Sequence, residues 1–136
     1  MKVCGIELKG SEARMVALEG TIDDYRVVAT TMDRVKIGDS KDQKSVQAFH
    51  QQVIEFFDAE DFTAIGIKER MTKGRFSGGA LTFKMEALIQ TSDYAIQIIH
   101  VATIKSKLKN IEYDEELVNK YQGEAFRVAL YLLETI

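Results

Sequence analysis

The stretch Phe62-Thr63-Ala64-Ile65-Gly66-Ile67-Lys68-Glu69 decides how this chain is read. Phe62–Ile67 is an apolar run of strand length, without the polar alternation of a strand that keeps one wet face. Such a run suits a central strand covered on both sides. Upstream, Ser40-Lys41-Asp42-Gln43 has the spacing of a capping box with Ser40 as cap. Val46, Phe49, Val53, Phe56 and Phe57 follow as the stripe of an amphipathic helix that Asp58–Asp61 closes. Downstream, the polar loop Met71–Gly79 leads to a helix through Ala80, Phe83, Ala87 and Leu88, and Tyr94–Val101 is a further apolar run. Thr103 is expected to cap a short basic turn, Ile104–Lys109. Asp114 starts the last helix, with Glu115 and Glu116 complementing its dipole and Leu117, Tyr121, Val128 and Leu132 along one face.

The first third has a different period. Lys2–Lys9 and Ala13–Glu19 are joined by Gly10-Ser11-Glu12, short enough for a hairpin, and Gly20–Asp24 leads into the β-branched run Val27–Thr31. This reads as a three-stranded antiparallel meander. The whole order, β-β-β-α-β-α-β-α, predicts one α/β domain over residues 1–136, a mixed five-stranded sheet with helices on both faces.

Composition bounds the function classes. With 136 residues, 46% of them apolar and 29% charged, the chain can bury a real core and is not generally disordered. No apolar run approaches a membrane span and the N-terminus has no secretory h-region, so a cytoplasmic protein with no membrane partner is expected. One cysteine, Cys4, forms no internal disulfide and builds no zinc site; it is expected as a buried small hydrophobe. His50 and His100 do not supply a histidine metal site, although His100 falls near the strand ends. Phe49, Phe56 and Phe57 are core residues.

The net charge of −3 hides a polarity. Residues 68–109 carry eight basic groups against three acidic ones, between two acidic flanks. A local basic zone on an acidic protein is either a footprint for phosphates or a solvated surface of loops and helix ends. Within it, Ser77, Gly78 and Gly79 precede a helix whose N-terminus can hold an anion with Lys73 and Arg75, or be capped by Ser77 alone.

Ligands of open α/β sheets collect at the carboxyl ends of parallel strands. Glu7 lies near the end of the first strand and Glu69 at the end of the fourth, on the same predicted edge, with Glu69 continuing the row of Ile65 and Ile67. Two close carboxylates raise each other's pKa unless a cation lies between them, and an all-oxygen cluster suits Mg²⁺ or Mn²⁺. The alternative is ordinary pairing, Glu7 with Lys9 or Lys68 and Glu69 with Arg70 or Lys73.

The element order, with Gly5-Ile6-Glu7 opening and Ile65-Gly66-Ile67-Lys68-Glu69 in the fourth strand, resembles the ribonuclease H-like superfamily. Within it, the chain is similar to RuvC-type Holliday-junction resolvases. His100–Lys109 resembles their fifth strand running into a basic turn, and Glu124–Leu130 their final helix. The chain also resembles a family of short bacterial proteins without assigned activity. The resemblance implies a divalent-metal-dependent nuclease or resolvase acting on structured nucleic acid. Glu7, Glu69 and Glu124 would hold Mg²⁺ or Mn²⁺ as the catalytic set, and Lys73, Arg75, Lys105 and Lys107 would contact the backbone. Two departures point instead to a catalytically degenerate module that binds or interacts: the first acid is Glu where active families carry Asp, and Arg127 stands where a second acid follows Glu124. The last helix is apolar around much of its circumference (Phe126, Val128, Leu130, Tyr131, Leu132, Leu133), as expected of a homodimer contact or of a helix sandwiched within the chain.

Overall fold

The computed structural model describes residues 1–71 and 79–136. The expected phosphate-binding residues Lys73 and Arg75, with Ser77 and Gly78, lie outside the described residues. Four strands open the chain: β1 (Lys2–Lys9), β2 (Glu12–Thr21), β3 (Asp24–Val27) and β4 (Arg34–Lys36). Then come α1 (Gln43–Glu60), β5 (Ala64–Lys68), α2 (Ala80–Gln90), β6 (Ile96–Ile99), α3 (Val101–Leu108), two 3₁₀ turns (Glu115–Leu117 and Lys120–Gln122) and α4 (Gly123–Thr135). The sheet order is β3-β2-β1-β5-β6, with β4 also pairing β2. β1 is antiparallel to β2 and parallel to β5, and β5 is parallel to β6. This is the mixed α/β sheet expected, with one strand more. β4 escapes a periodicity reading because only Val35 of its three residues is buried, between Arg34 and Lys36.

Local corrections follow from hydrogen bonding. The third strand begins at Asp24 because the turn after Thr21 is tight, pairing Thr21 with Asp24, and of the run Val27–Thr31 only Val27 belongs to it. The cap of α1 is Asp42 and not Ser40: its carboxylate accepts the Lys44 N–H at 3.3 Å and the Ser45 hydroxyl at 3.1 Å. Asp61 closes α1 in the left-handed region at φ 52°. α2 buries Thr82, Met85 and Ile89, while Ala80, Phe83 and Ala87 of the expected stripe face solvent. Met85 and Ile89 bring more apolar area than two alanines, the Thr82 hydroxyl is satisfied by the Gly79 carbonyl at 2.8 Å, and Phe83 lies under the Arg70 guanidinium. α3 starts at His100 and takes no cap from Thr103. The helix expected from Asp114 is broken, since Asp114 caps only the first 3₁₀ turn. Gln122 donates to the Met15 carbonyl at 3.1 Å and Tyr121 donates to Asp33, so this segment is tied to β2 and to the β3–β4 connection before α4 can begin at Gly123.

The helices form two layers. α1 and α2 cover one face, packing Phe49, Phe57, Met85 and Ile89 on Cys4, Ile6, Met15, Ile65 and Ile67. α3 and α4 cover the other, where Phe126, Leu130 and Leu132 meet Val3, Val16 and Leu18. The apolar circumference of α4 is thus used within the chain, between the sheet and α3.

Two glycines set how closely α4 approaches. Gly5 and Gly66 are register partners on adjacent strands and form one notch in the sheet. A Cβ on Gly5 would overlap the Ala125 carbonyl oxygen and lie 2.5 Å from the Ala129 nitrogen; one on Gly66 would lie 2.6 Å from Ile99 Cδ1 and 3.2 Å from Val128 Cγ1. Gly5 of Gly5-Ile6-Glu7 is therefore a packing requirement set by backbone, Gly66 faces side-chain ends, and the notch places the first turn of α4, with Glu124, over the ends of β1 and β5.

Candidate functional site

Glu7 leaves β1 on the α4 side, alternate to Ile6 and Leu8, and its side chain is 12% exposed. The register pairs Ile6 with Ile67, so the β5 residue next to Glu7 is Lys68 and not Glu69. The Gly10-Ser11 hairpin brings Arg14 opposite Glu7 on the other side. The result is an alternating chain of charges across the strand ends. Arg14 meets Glu12 at 2.7 Å and Glu7 at 3.7 Å; Lys68 Nζ lies 4.0 Å from Glu7 and 2.9 Å from Glu124; Arg127 holds both Glu124 and Glu115.

Glu69 stands apart from that chain. Its backbone N–H continues the β5–β6 ladder to the Ile99 carbonyl at 2.9 Å, and its carboxylate, 45% exposed, meets His100 Nδ1 at 3.4 Å. Glu7 and Glu69 nonetheless line one cleft of about 760 Å³, together with Gly10, Ser11, Arg70 and the start of α2. Thus Glu7 and Glu124 meet through Lys68, while Glu69 shares a cleft with Glu7 and its partner is His100. Among the described residues, no group of three or more His, Cys, Asp or Glu side chains is arranged to hold a metal ion. Lys105 and Lys107 are both exposed on α3, two residues apart and so on opposite sides of it.

Lys68 meets Glu7 as one of the partners that ordinary pairing offered it, while Arg14 is passed over by a reading of acids alone. Their signal is legible: a two-residue turn at Gly10-Ser11 pairs residue 7 with residue 14, and pairing Gly5 with Gly66 puts residue 68 beside residue 7.

Burial pushes the Glu7 carboxyl above its ordinary value, against the pull of Lys68, with Glu124 adding to the rise. The folded state therefore holds the Glu7 proton more tightly than the unfolded chain. The stability this contributes is present below about pH 4.5 and is lost as pH rises through the folded value. Denaturant melts of the wild type and of Glu7→Gln should show the wild type's relative stability falling from pH 4.5 toward neutrality. A wild type that instead gains stability relative to the variant over that range would mean that Glu7 is held by its cations more than it is dehydrated.

A mixed sheet opened by a hairpin and covered by helices on both faces is the ribonuclease H-like fold of RuvC-type resolvases. The structure is similar to Thermus thermophilus RuvC, with a TM-score of 0.74 at 14% identity over 96% of this chain and 92% of that one. It is similar to the same protein in complex with a Holliday junction substrate (TM-score 0.70, 14% identity, 96% and 91% covered). It also resembles the Fowlpox virus resolvase in its complex with Holliday junction DNA (TM-score 0.52, 9% identity, 99% and 98% covered). No curated protein matches the sequence. The chain belongs to the family described as protein of unknown function DUF3010, whose model matches residues 1–132.

Proposed function

We propose that this chain is a nucleic-acid-binding module of ribonuclease H-like fold whose acidic centre is closed by its own cations and does not hydrolyse phosphodiesters. The observation that carries this reading is Lys68 Nζ lying between the carboxylates of Glu7 and Glu124. Mg²⁺ requires near-octahedral oxygen ligands at about 2.0–2.1 Å and keeps several waters. Around Glu7 that space is shared by an ammonium and a guanidinium, Glu124 is engaged by Lys68 and Arg127, and Glu69 is paired with His100. The residues as arranged do not fit a divalent ion.

Nucleic acid as the partner is supported by the basic excess of residues 68–109, by the exposed lysines of α3, and by the fold shared with resolvases. A cytoplasmic setting, where the buried Cys4 stays a thiol, accords with this.

The test is fluorescence anisotropy on duplex, single-stranded and four-way-junction DNA over a salt series. Binding should weaken steeply with salt, and charge reversal by Lys105→Glu with Lys107→Glu should lower affinity by about tenfold or more. Incubation with Mg²⁺ or Mn²⁺ should leave all three substrates intact. Metal-dependent cleavage abolished by Glu7→Gln and Glu69→Gln would overturn the reading and establish a hydrolase working from the cleft those two glutamates share; the absence of salt-dependent binding would overturn it in the other direction.

A further inference from the structure

Between α3 and α4 lies a second cavity, of about 500 Å³, within the size range of small-ligand sites. It lies where α3, eight residues long, packs beside the first turns of α4 and the chain returns through 3₁₀ turns. Its floor is apolar: Val101, Ile104 and Leu108, at spacings of three and four on the inner side of α3, continue into Ile111, with the Tyr113 ring beside them. Its rim is cationic. Lys68, Lys105, Lys109 and Arg127 line it against one acid, Glu124. Lys68 and Arg127 are engaged by that acid, whereas Lys105 and Lys109, one helical turn apart, pair with no carboxylate among the described residues.

An apolar floor under surplus positive charge selects an anion with a hydrophobic body. Two unpaired ammonium groups exceed what one carboxylate requires and suit a phosphate, to which lysine binds as a point charge. The guanidinium of Arg127, paired with Glu115 and Glu124, has a flat face of the kind that stacks on aromatic rings. We propose that this cavity binds a single nucleotide unit, with base and sugar on the apolar floor and the phosphate against Lys105 and Lys109. The unit is either a free mononucleotide or an unpaired residue of a strand; only the second source rests on the proposed nucleic-acid binding.

Calorimetry with AMP, adenosine and inorganic phosphate tests the first source, and anisotropy with a single-stranded oligonucleotide and a duplex tests the second. Ile111→Trp fills the floor without altering charge, Lys109→Ala removes one phosphate partner at an exposed position, and thermal melts establish that both variants fold. If the ligand is free, AMP binds at least about tenfold more tightly than adenosine or phosphate, and either variant weakens it by about tenfold. If the source is a strand, Ile111→Trp lowers single-strand affinity by about tenfold and leaves duplex affinity unchanged. AMP bound no better than phosphate, together with single-strand affinity indifferent to Ile111→Trp, overturns the proposal. AMP binding by a protein that binds no DNA sustains it while removing the nucleic-acid reading above.

Discussion

Gly5→Ala should cost about 3 kcal/mol or more, a fall in melting temperature on the order of 10 °C. The added methyl meets backbone, the Ala125 carbonyl and the Ala129 amide, and no side chain can swing away to make room. α4 must lift or slide, which loosens Phe126, Leu130 and Leu132 from the sheet together. The effect is local in cause and broad in consequence, because interiors packed to crystal density do not absorb a shift of half an ångström. The same substitution at Gly123 should do the opposite. That residue has helical angles, only Arg127 approaches a built Cβ, at 3.9 Å, and alanine there should hold or slightly raise the melting temperature. Thermal melts of the two variants side by side check the argument. Equal losses would mean that glycine content, and not the notch, is what matters.

Lys68→Asp should convert the ion-pair chain into an open acidic cluster. Glu7, Asp at 68 and Glu124 would then face one another with only Arg14 and Arg127 at the ends. The loss of the central cation together with an added like charge should destabilise the fold at pH 7 by about 2–3 kcal/mol. The repulsion raises the carboxyl pKa values of the folded state, so the deficit should shrink on acidification and widen as pH rises through them. Mn²⁺ should recover part of it. At ten times its dissociation constant a ligand specific for the folded state adds about 1.4 kcal/mol. The melting temperature of the variant should therefore climb with millimolar Mn²⁺ while that of the wild type stays flat. A wild-type protein that gains as much from Mn²⁺ as the variant would show that Lys68 yields its place readily, and the non-catalytic reading would fall.

Fold and site were legible in the sequence to different degrees. The layer order could be read because apolar spacing changes period where strands give way to helices, and the core phenylalanines of α1 fall on one stripe by arithmetic alone. What escaped were elements whose cause lies elsewhere in the chain. β4 is a strand because β2 offers it a partner, not because Arg34-Val35-Lys36 looks like one. The break before α4 is set by Gln122 reaching across to Met15. The placement of the glutamates turned on parity. Ile65, Ile67 and Glu69 do alternate in step, but strand pairing sets Lys68 and not Glu69 beside Glu7, and Glu69 follows the last residue of β5 and meets His100. One position along a strand separates a metal-like grouping from an ion pair, and hydrophobic periodicity carries no information about which charged neighbour an acid will find.

The notch that seats α4 also joins two segments that lie far apart along the chain. Residues 123–135 lie across residues 2–9, so the sheet face bearing Val3, Val16 and Leu18 lacks its main cover until α4 has been synthesised. During translation that face is a greasy, waiting template, and contacts so distant in sequence form slowly. A ribosome stalled before Gly123 would hold a sheet without α4 over it, a natural client for chaperones that grip exposed aliphatic surface.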